Sequence, residues 1–192
     1  MLLNFINFQK ISKPKDIKIN NKLYLNFDYI WDDIKKIIEN ELLSLEQIQV
    51  IHGDCCFSNI LCGYNSHKDK CVIKGIDPRG KFGATGIYGD ILYDSAKLLH
   101  SYEGGYEYII FDEFDIDANL VNNEFGLSFS NNNKDKIKKV FDENANFNYR
   151  KSKIIQGLIF IGMCSRHYDS EDRQMAMYCQ GIKFLNEVLD EK

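Results

Sequence analysis

The pattern His-x-Asp-x-x-x-x-Asn, followed further on by Ile-Asp, stands at His52–Asn59 and Ile76-Asp77. Its residue types suit phosphoryl chemistry. Moving a phosphoryl group to an alcohol needs a carboxylate that orients the hydroxyl and accepts its proton, and oxygen ligands that hold one or two magnesium ions on the phosphates. It also needs donor and acceptor in line. Magnesium takes hard oxygen donors, so Asp and Asn serve and Cys does not. Asp54 suits the base, carried on a tight turn set by Gly53. Asn59 can offer an amide oxygen to a metal, and Asp77 can bridge metal and phosphate oxygens. His52 reads as a hydrogen-bonding residue of the same loop, because the neighbouring carboxylate already fills the proton-acceptor position. Each residue alone has a plainer reading: a His-Gly-Asp turn, an Asn that caps a strand or turn, an Asp that starts a turn before Pro78. The combination carries the inference.

Such residues need a frame. Ile48–Ile51 is an apolar run leading into the loop, and Asn59–Cys62 with Cys71–Ile76 reads as a hairpin across a polar loop, Gly63–Lys70. That hairpin brings Asp77, at the end of one strand, beside Asn59, at the start of the other. The glycine-spaced stretch Pro78–Gly89 reads as a freely bending loop, outside the strand-then-helix setting of a dinucleotide fingerprint. Asp90 then caps a helix running to about Ser101.

Elsewhere the pattern predicts a small hairpin within residues 1–27, Asp16–Ile19 with Lys22–Leu25 around Asn20-Asn21, since Asn tolerates the positive φ of such turns. A helix follows over 28–45 with Asp28 as N-cap and Trp31, Ile34, Ile38, Leu42 and Leu45 as its apolar stripe. Tyr106–Phe111 and Phe125–Phe129 read as a second strand pair joined by an acidic, Asn-rich loop, and Ser130–Lys134 as a turn. Helices are predicted over Lys134–Glu143, over Tyr149–His167 as a central buried element, and over Glu171–Leu189.

The composition fits one domain spanning 1–192: 192 residues, 44% hydrophobic and 27% charged, enough to bury a core. A net charge of −4 with scattered basic residues argues against nucleic acid as a partner. The longest apolar run, Ile154–Cys164, is too short to span a bilayer. With no evident signal peptide and no C-x-x-C pair among the six cysteines, the expectation is a cytoplasmic protein with reduced thiols and no membrane partner. A His and Cys metal site is a weaker alternative for lack of paired short spacings.

The run His52-Gly53-Asp54-Cys55-Cys56-Phe57-Ser58-Asn59-Ile60-Leu61, with Ile76-Asp77 and Gly89–Leu98, resembles the aminoglycoside phosphotransferase and choline kinase family, small-molecule relatives of the protein kinases. The resemblance implies an α+β fold, the mostly helical C-terminal lobe of a kinase-like protein with a catalytic-loop hairpin. It implies ATP and Mg2+ as cofactors, Asp54 as catalytic base with His52 organising its loop, Asn59 and Asp77 as magnesium and nucleotide ligands, and Asp94 as a buried support of the loop. The acceptor it implies is a hydroxyl of a small molecule of choline, aminoglycoside or sugar type. A narrower similarity, over Ile76–Gly80 and Gly86–Asp90, is to kinase-like proteins of bacterial surface-polysaccharide pathways. Only 51 residues precede His52, and none is glycine. The family's phosphate-covering loop and nucleotide lysine therefore have no counterpart, and a protein partner or second copy is expected to complete the site. The rival expectation is a catalytically silent lobe that serves as a binding or assembly module. Acidic Asp112, Glu113, Asp115 and Asp117 could draw a cationic acceptor, or form a solvated loop.

Overall fold

The computed structural model describes residues 14–42, 48–65, 67, 70–81, 83–84, 86–130, 134–144 and 148–191. The chain is α+β, with six α-helices and small sheets among the described residues. The end of the helix expected to reach Leu45, the start of the 1–27 segment and most of the Ser130–Lys134 turn lie outside them.

The N-terminal hairpin forms as its sequence predicts. Strands β1 (Asp16–Ile19) and β2 (Lys22–Leu25) pair antiparallel, and both turn residues, Asn20 and Asn21, have positive φ. The hairpin joins the main sheet. β1 also pairs in parallel with a later strand, Glu124–Phe129. The Asn20 side chain donates to the Leu127 carbonyl and accepts from the Leu127 N–H, both at 2.8 Å. Ile17, Ile19 and Tyr24 thereby enter the core.

Helix α1 is Phe27–Ile37, followed by a wider π turn over Ile38–Leu42. Its N-cap is Asn26 rather than Asp28. Asn26 is fully buried. Its side-chain oxygen accepts from the Phe27 N–H and from the Tyr178 hydroxyl, and its amide donates to the Pro14 carbonyl. Tertiary partners chose the cap over the more usual acidic candidate. Of the predicted stripe, Ile34 is fully buried and Ile38 packs on the core, while Trp31 is exposed and Ile30 is buried in its place.

Strand β3 (Ile48–Val50) pairs with β6 (Tyr88–Asp90), and β4 (Ile60–Tyr64) pairs with β5 (Cys71–Gly75). Helix α2 (Ile91–Tyr102) starts at Asp90, whose side chain accepts from the Leu92 N–H.

The expected strand at Tyr106–Phe111 is instead a short helix, α3 (Tyr106–Ile110), opened by Gly105 at φ +69°. The strand lies further on, in the stretch read as an acidic loop. It is β7 (Phe114–Asn119), antiparallel to β8 (Glu124–Phe129). Phe114, Ile116 and Ala118 turn toward the core and Asp115, Asp117 and Asn119 toward solvent, the two-residue alternation of a half-buried strand. The resulting sheet has the order β2-β1-β8-β7.

Helices α4 (Lys134–Asn144), α5 (Tyr149–Met163) and α6 (Glu171–Asp190) complete the fold. α5 packs on both α2 and α6. A Cβ added at Gly157 would come within 2.8 Å of Leu185, so glycine there permits the close approach of α5 and α6. The core joins the sheet's inner face to α1, α5 and α6 through Ile17, Ile34, Phe125, Phe160, Phe184 and Leu185.

Candidate functional site

The site is built on the loop between β3 and β4. Its backbone is bent by Gly53, at φ +75°, a conformation glycine adopts without steric cost. The bend is held from behind by Asp94. This carboxylate is buried in the first turn of α2 and accepts from the His52 N–H at 2.7 Å and the Gly53 N–H at 2.8 Å. Bonds from backbone N–H groups to a carboxylate are among the stronger ones in proteins, and here they fix the two residues before Asp54. His52 adds a third restraint, its Nδ1 accepting from the Asp54 N–H at 3.3 Å. Its ring lies against Gly75, where a Cβ would approach to 3.2 Å. The histidine thus organises the loop.

Asp54 is half-buried, and its carboxylate is gripped on both oxygens. Lys97 Nζ lies 2.9 Å from Oδ1. Asn59 Nδ2 lies 3.2 Å from Oδ2 and 2.9 Å from the Asp54 main-chain oxygen. Because that carbonyl can only accept, the amide nitrogen of Asn59 must face it, and the amide oxygen is left for another partner.

Asp77 arrives by the β4–β5 hairpin. Ile60 stands opposite Gly75, and the Ile76 N–H donates to the Asn59 carbonyl at 2.9 Å. Two residues beyond Asp77, the Arg79 N–H donates to the His52 carbonyl at 2.9 Å. Asp77 is pinned between these contacts. It is exposed and has a positive φ of +52°, uncommon for a residue with a side chain. The structure therefore brings Asp54, Asn59, His52, Gly53 and Asp94 into one hydrogen-bonded loop and sets Asp77 at its edge.

Lys97 was not singled out from the sequence. It is almost fully buried, three residues after Asp94 on the same helix, so one face of α2 carries both the support of the loop and the cation on its carboxylate. The signal was present as Asp94-x-x-Lys97, but a lysine on a helix is ordinarily a solvated residue.

A cavity of about 250 Å³ opens beside Asp54, bounded by Arg79, Tyr93, Lys97, Tyr106, Met163 and Arg166. Arg79 stacks over the Tyr93 ring at 5.7 Å. Burial, helped by the charge of Asp54, pushes the Tyr106 phenol up to about 12, so it stays a neutral hydrogen-bonding group at physiological pH. A second, more open hollow of about 420 Å³ lies on the β1–β8–β7 side and includes none of the loop residues.

Of the cysteines, Cys56 joins the loop through its backbone, donating to the Asp54 carbonyl at 2.9 Å and accepting from the Asn59 N–H at 3.0 Å. Cys55 points into a half-buried setting that pushes its thiol up to about 11, chiefly by desolvation and then by the charge of Asp94. Cys62 and Cys71 face each other at 3.0 Å across β4 and β5 on the exposed hairpin. Among the described residues, no helix is long and apolar enough to cross a membrane.

Comparison with protein-family models, with curated proteins and with solved structures finds no match for this chain.

Proposed function

We propose that this chain is a kinase-like phosphotransferase lobe that moves the γ-phosphate of ATP to a hydroxyl of a small molecule. One observation carries the reading. A carboxylate is clamped on both oxygens by Lys97 and Asn59, on a loop whose preceding N–H groups are held by buried Asp94. A turn that merely reverses the chain needs neither a buried lysine on its carboxylate nor a buried aspartate beneath it.

In this reading Asp54 accepts the acceptor's hydroxyl proton as the new oxygen–phosphorus bond forms and the bond to the departing ADP oxygen breaks. Lys97 and Asn59 fix the carboxylate's orientation, so no rearrangement is needed as the proton arrives. The donor set suits magnesium: the unengaged amide oxygen of Asn59 and the exposed carboxylate of Asp77 are hard oxygens. Among the described residues, no three His, Cys, Asp or Glu side chains cluster into a cage of their own. Magnesium at these two residues would offset the charge of the nucleotide phosphates.

The test is transfer of labelled γ-phosphate from ATP to a panel of hydroxyl compounds, comparing the native chain with Asp54→Asn. The substitution removes the proton acceptor at nearly constant volume. Turnover should fall roughly hundredfold to ten-thousandfold; because the change also takes the counter-charge from buried Lys97, circular dichroism verifies that the variant is folded at the assay temperature. Equal transfer by both proteins would overturn the mechanism.

A second reading, a silent lobe that binds a partner, draws on one observation. Beside the loop, Ile48, Val50 and Tyr88 share one face of the β3–β6 pair and are exposed, apolar surface of the kind a partner covers. Magnesium-dependent ATP binding by calorimetry separates the two: a folded chain with no binding at millimolar nucleotide supports the silent lobe.

A further inference from the structure

The cavity beside Asp54 has a charge opposite to the one a cationic acceptor needs. Among the described residues that line it, the one carboxylate, Asp54, is already neutralised by Lys97 at 2.9 Å. The remaining charged groups on its wall are two guanidinium groups, Arg79 and Arg166. They come from unrelated segments, one from the loop after β5 and the other from the turn after α5, so their convergence is a property of the fold and not of a local basic run. The acidic residues that could have drawn a cation lie elsewhere. Asp112 is held by Arg173 at 2.6 Å, Asp115 and Asp117 ride the solvent face of β7, and none of them bounds this cavity.

Guanidinium groups present a planar fork of donors that matches carboxylate and phosphate oxygens, and they remain charged at any physiological pH. Tyr93 and Tyr106 supply neutral donors and acceptors suited to hydroxyls. The volume, about 250 Å³, is smaller than that of drug-sized ligand pockets and suits a molecule of monosaccharide size. We propose that the acceptor is a small polyol bearing an anionic phosphate or carboxylate group, bound by Arg79 and Arg166 while its hydroxyl lies at Asp54. The proposal rests on the phosphotransferase reading for what happens at Asp54, but not for the binding itself.

The test is a calorimetric titration of the intact chain with four probes: glucose 6-phosphate, gluconate, glucose and choline. Glucose 6-phosphate or gluconate should bind, with the stronger of the two identifying the anion, and choline should not. Each of Arg79→Ala and Arg166→Ala should weaken the anionic probe roughly tenfold, the scale of one charge-assisted hydrogen bond. Added salt should weaken it as well. Both arginines are at the surface, and circular dichroism verifies that the variants fold. The proposal is overturned if choline or glucose binds as tightly as the anionic probes, if neither anionic probe binds at millimolar concentration, or if the arginine variants bind unchanged. Labelled-phosphate transfer then keeps the two claims apart. Transfer to choline but not to glucose 6-phosphate or gluconate sinks the anionic acceptor and leaves the phosphotransferase standing. Arginine-dependent anion binding without transfer to any probe does the reverse.

Discussion

Two hairpins of nearly equal size serve opposite purposes in this chain. β1–β2 is closed by Asn20-Asn21, joined to β8, and turns Ile17, Ile19 and Tyr24 into the core. Asn186 on α6 clasps it further, donating to the Leu25 carbonyl at 2.9 Å and accepting from the Leu25 N–H at 3.0 Å. Among the described residues, β4 and β5 pair only with each other, and Leu61, Tyr64, Val72 and Ile73 on them are exposed. This hairpin is fixed at its base, where Asn59 and Ile76 meet and where Arg79 returns to His52. The first hairpin is stabilised along its whole length because its side chains build the core. The second is constrained where its ends place Asn59 and Asp77, and its outer part contributes little to the fold. Core building and the placement of the candidate site's side chains are thus separated between two copies of the same simple motif.

The comparison can be broken by substitution. Ile17→Ala removes a fully buried side chain and should lower stability by about 3 kcal/mol, read from urea unfolding. A loss under half of that would mean the N-terminal hairpin is less integral than its burial indicates. Asp94→Ala should cost about 2 kcal/mol by stranding the His52 and Gly53 N–H groups. Its effect on phosphate transfer should exceed its effect on stability, because the loop it frees carries Asp54. Equal retention of activity would show that the clamp beneath the loop has no role in placing the base. Ile73→Lys, on the open hairpin at 70% exposure, should change stability by less than about 0.5 kcal/mol. A large destabilisation there would mean that the outer hairpin packs against something in the isolated chain.

The sequence disclosed local features and concealed tertiary ones. The Asn20-Asn21 turn and the Asp90 cap were readable because each is determined by residues a few positions apart, and the pairing of β4 with β5, though not its register, was readable from two apolar runs on either side of a polar loop. Even the long-range support by Asp94 could be assigned, but only through resemblance to a known motif. The helical start at Asn26 was not readable, since its partners Pro14 and Tyr178 reach it through the fold. β7 was hidden by its own acidic outer face, which makes a regular alternation look like a solvated loop. α3 was mistaken for a strand because its aromatic and β-branched residues favour strands, while Gly105 sets a left-handed turn that starts a helix. Lys97 and the arginines of the cavity escaped for a related reason: their meaning depends on what faces them, and Arg79 and Arg166 are far apart in the chain.

The central claim is that Asn59 and Asp77 together hold the divalent cation of a bound nucleotide in front of Asp54. Manganese substitutes for magnesium and broadens the NMR signals of nuclei near it, so it reports the ion's position directly. Titrating manganese–ATP into the isotopically labelled chain should broaden the amide signals of Asn59 and Asp77 first, and Asp77→Ala should abolish that pattern. Broadening that spares these residues, or that persists unchanged in Asp77→Ala, would contradict the account.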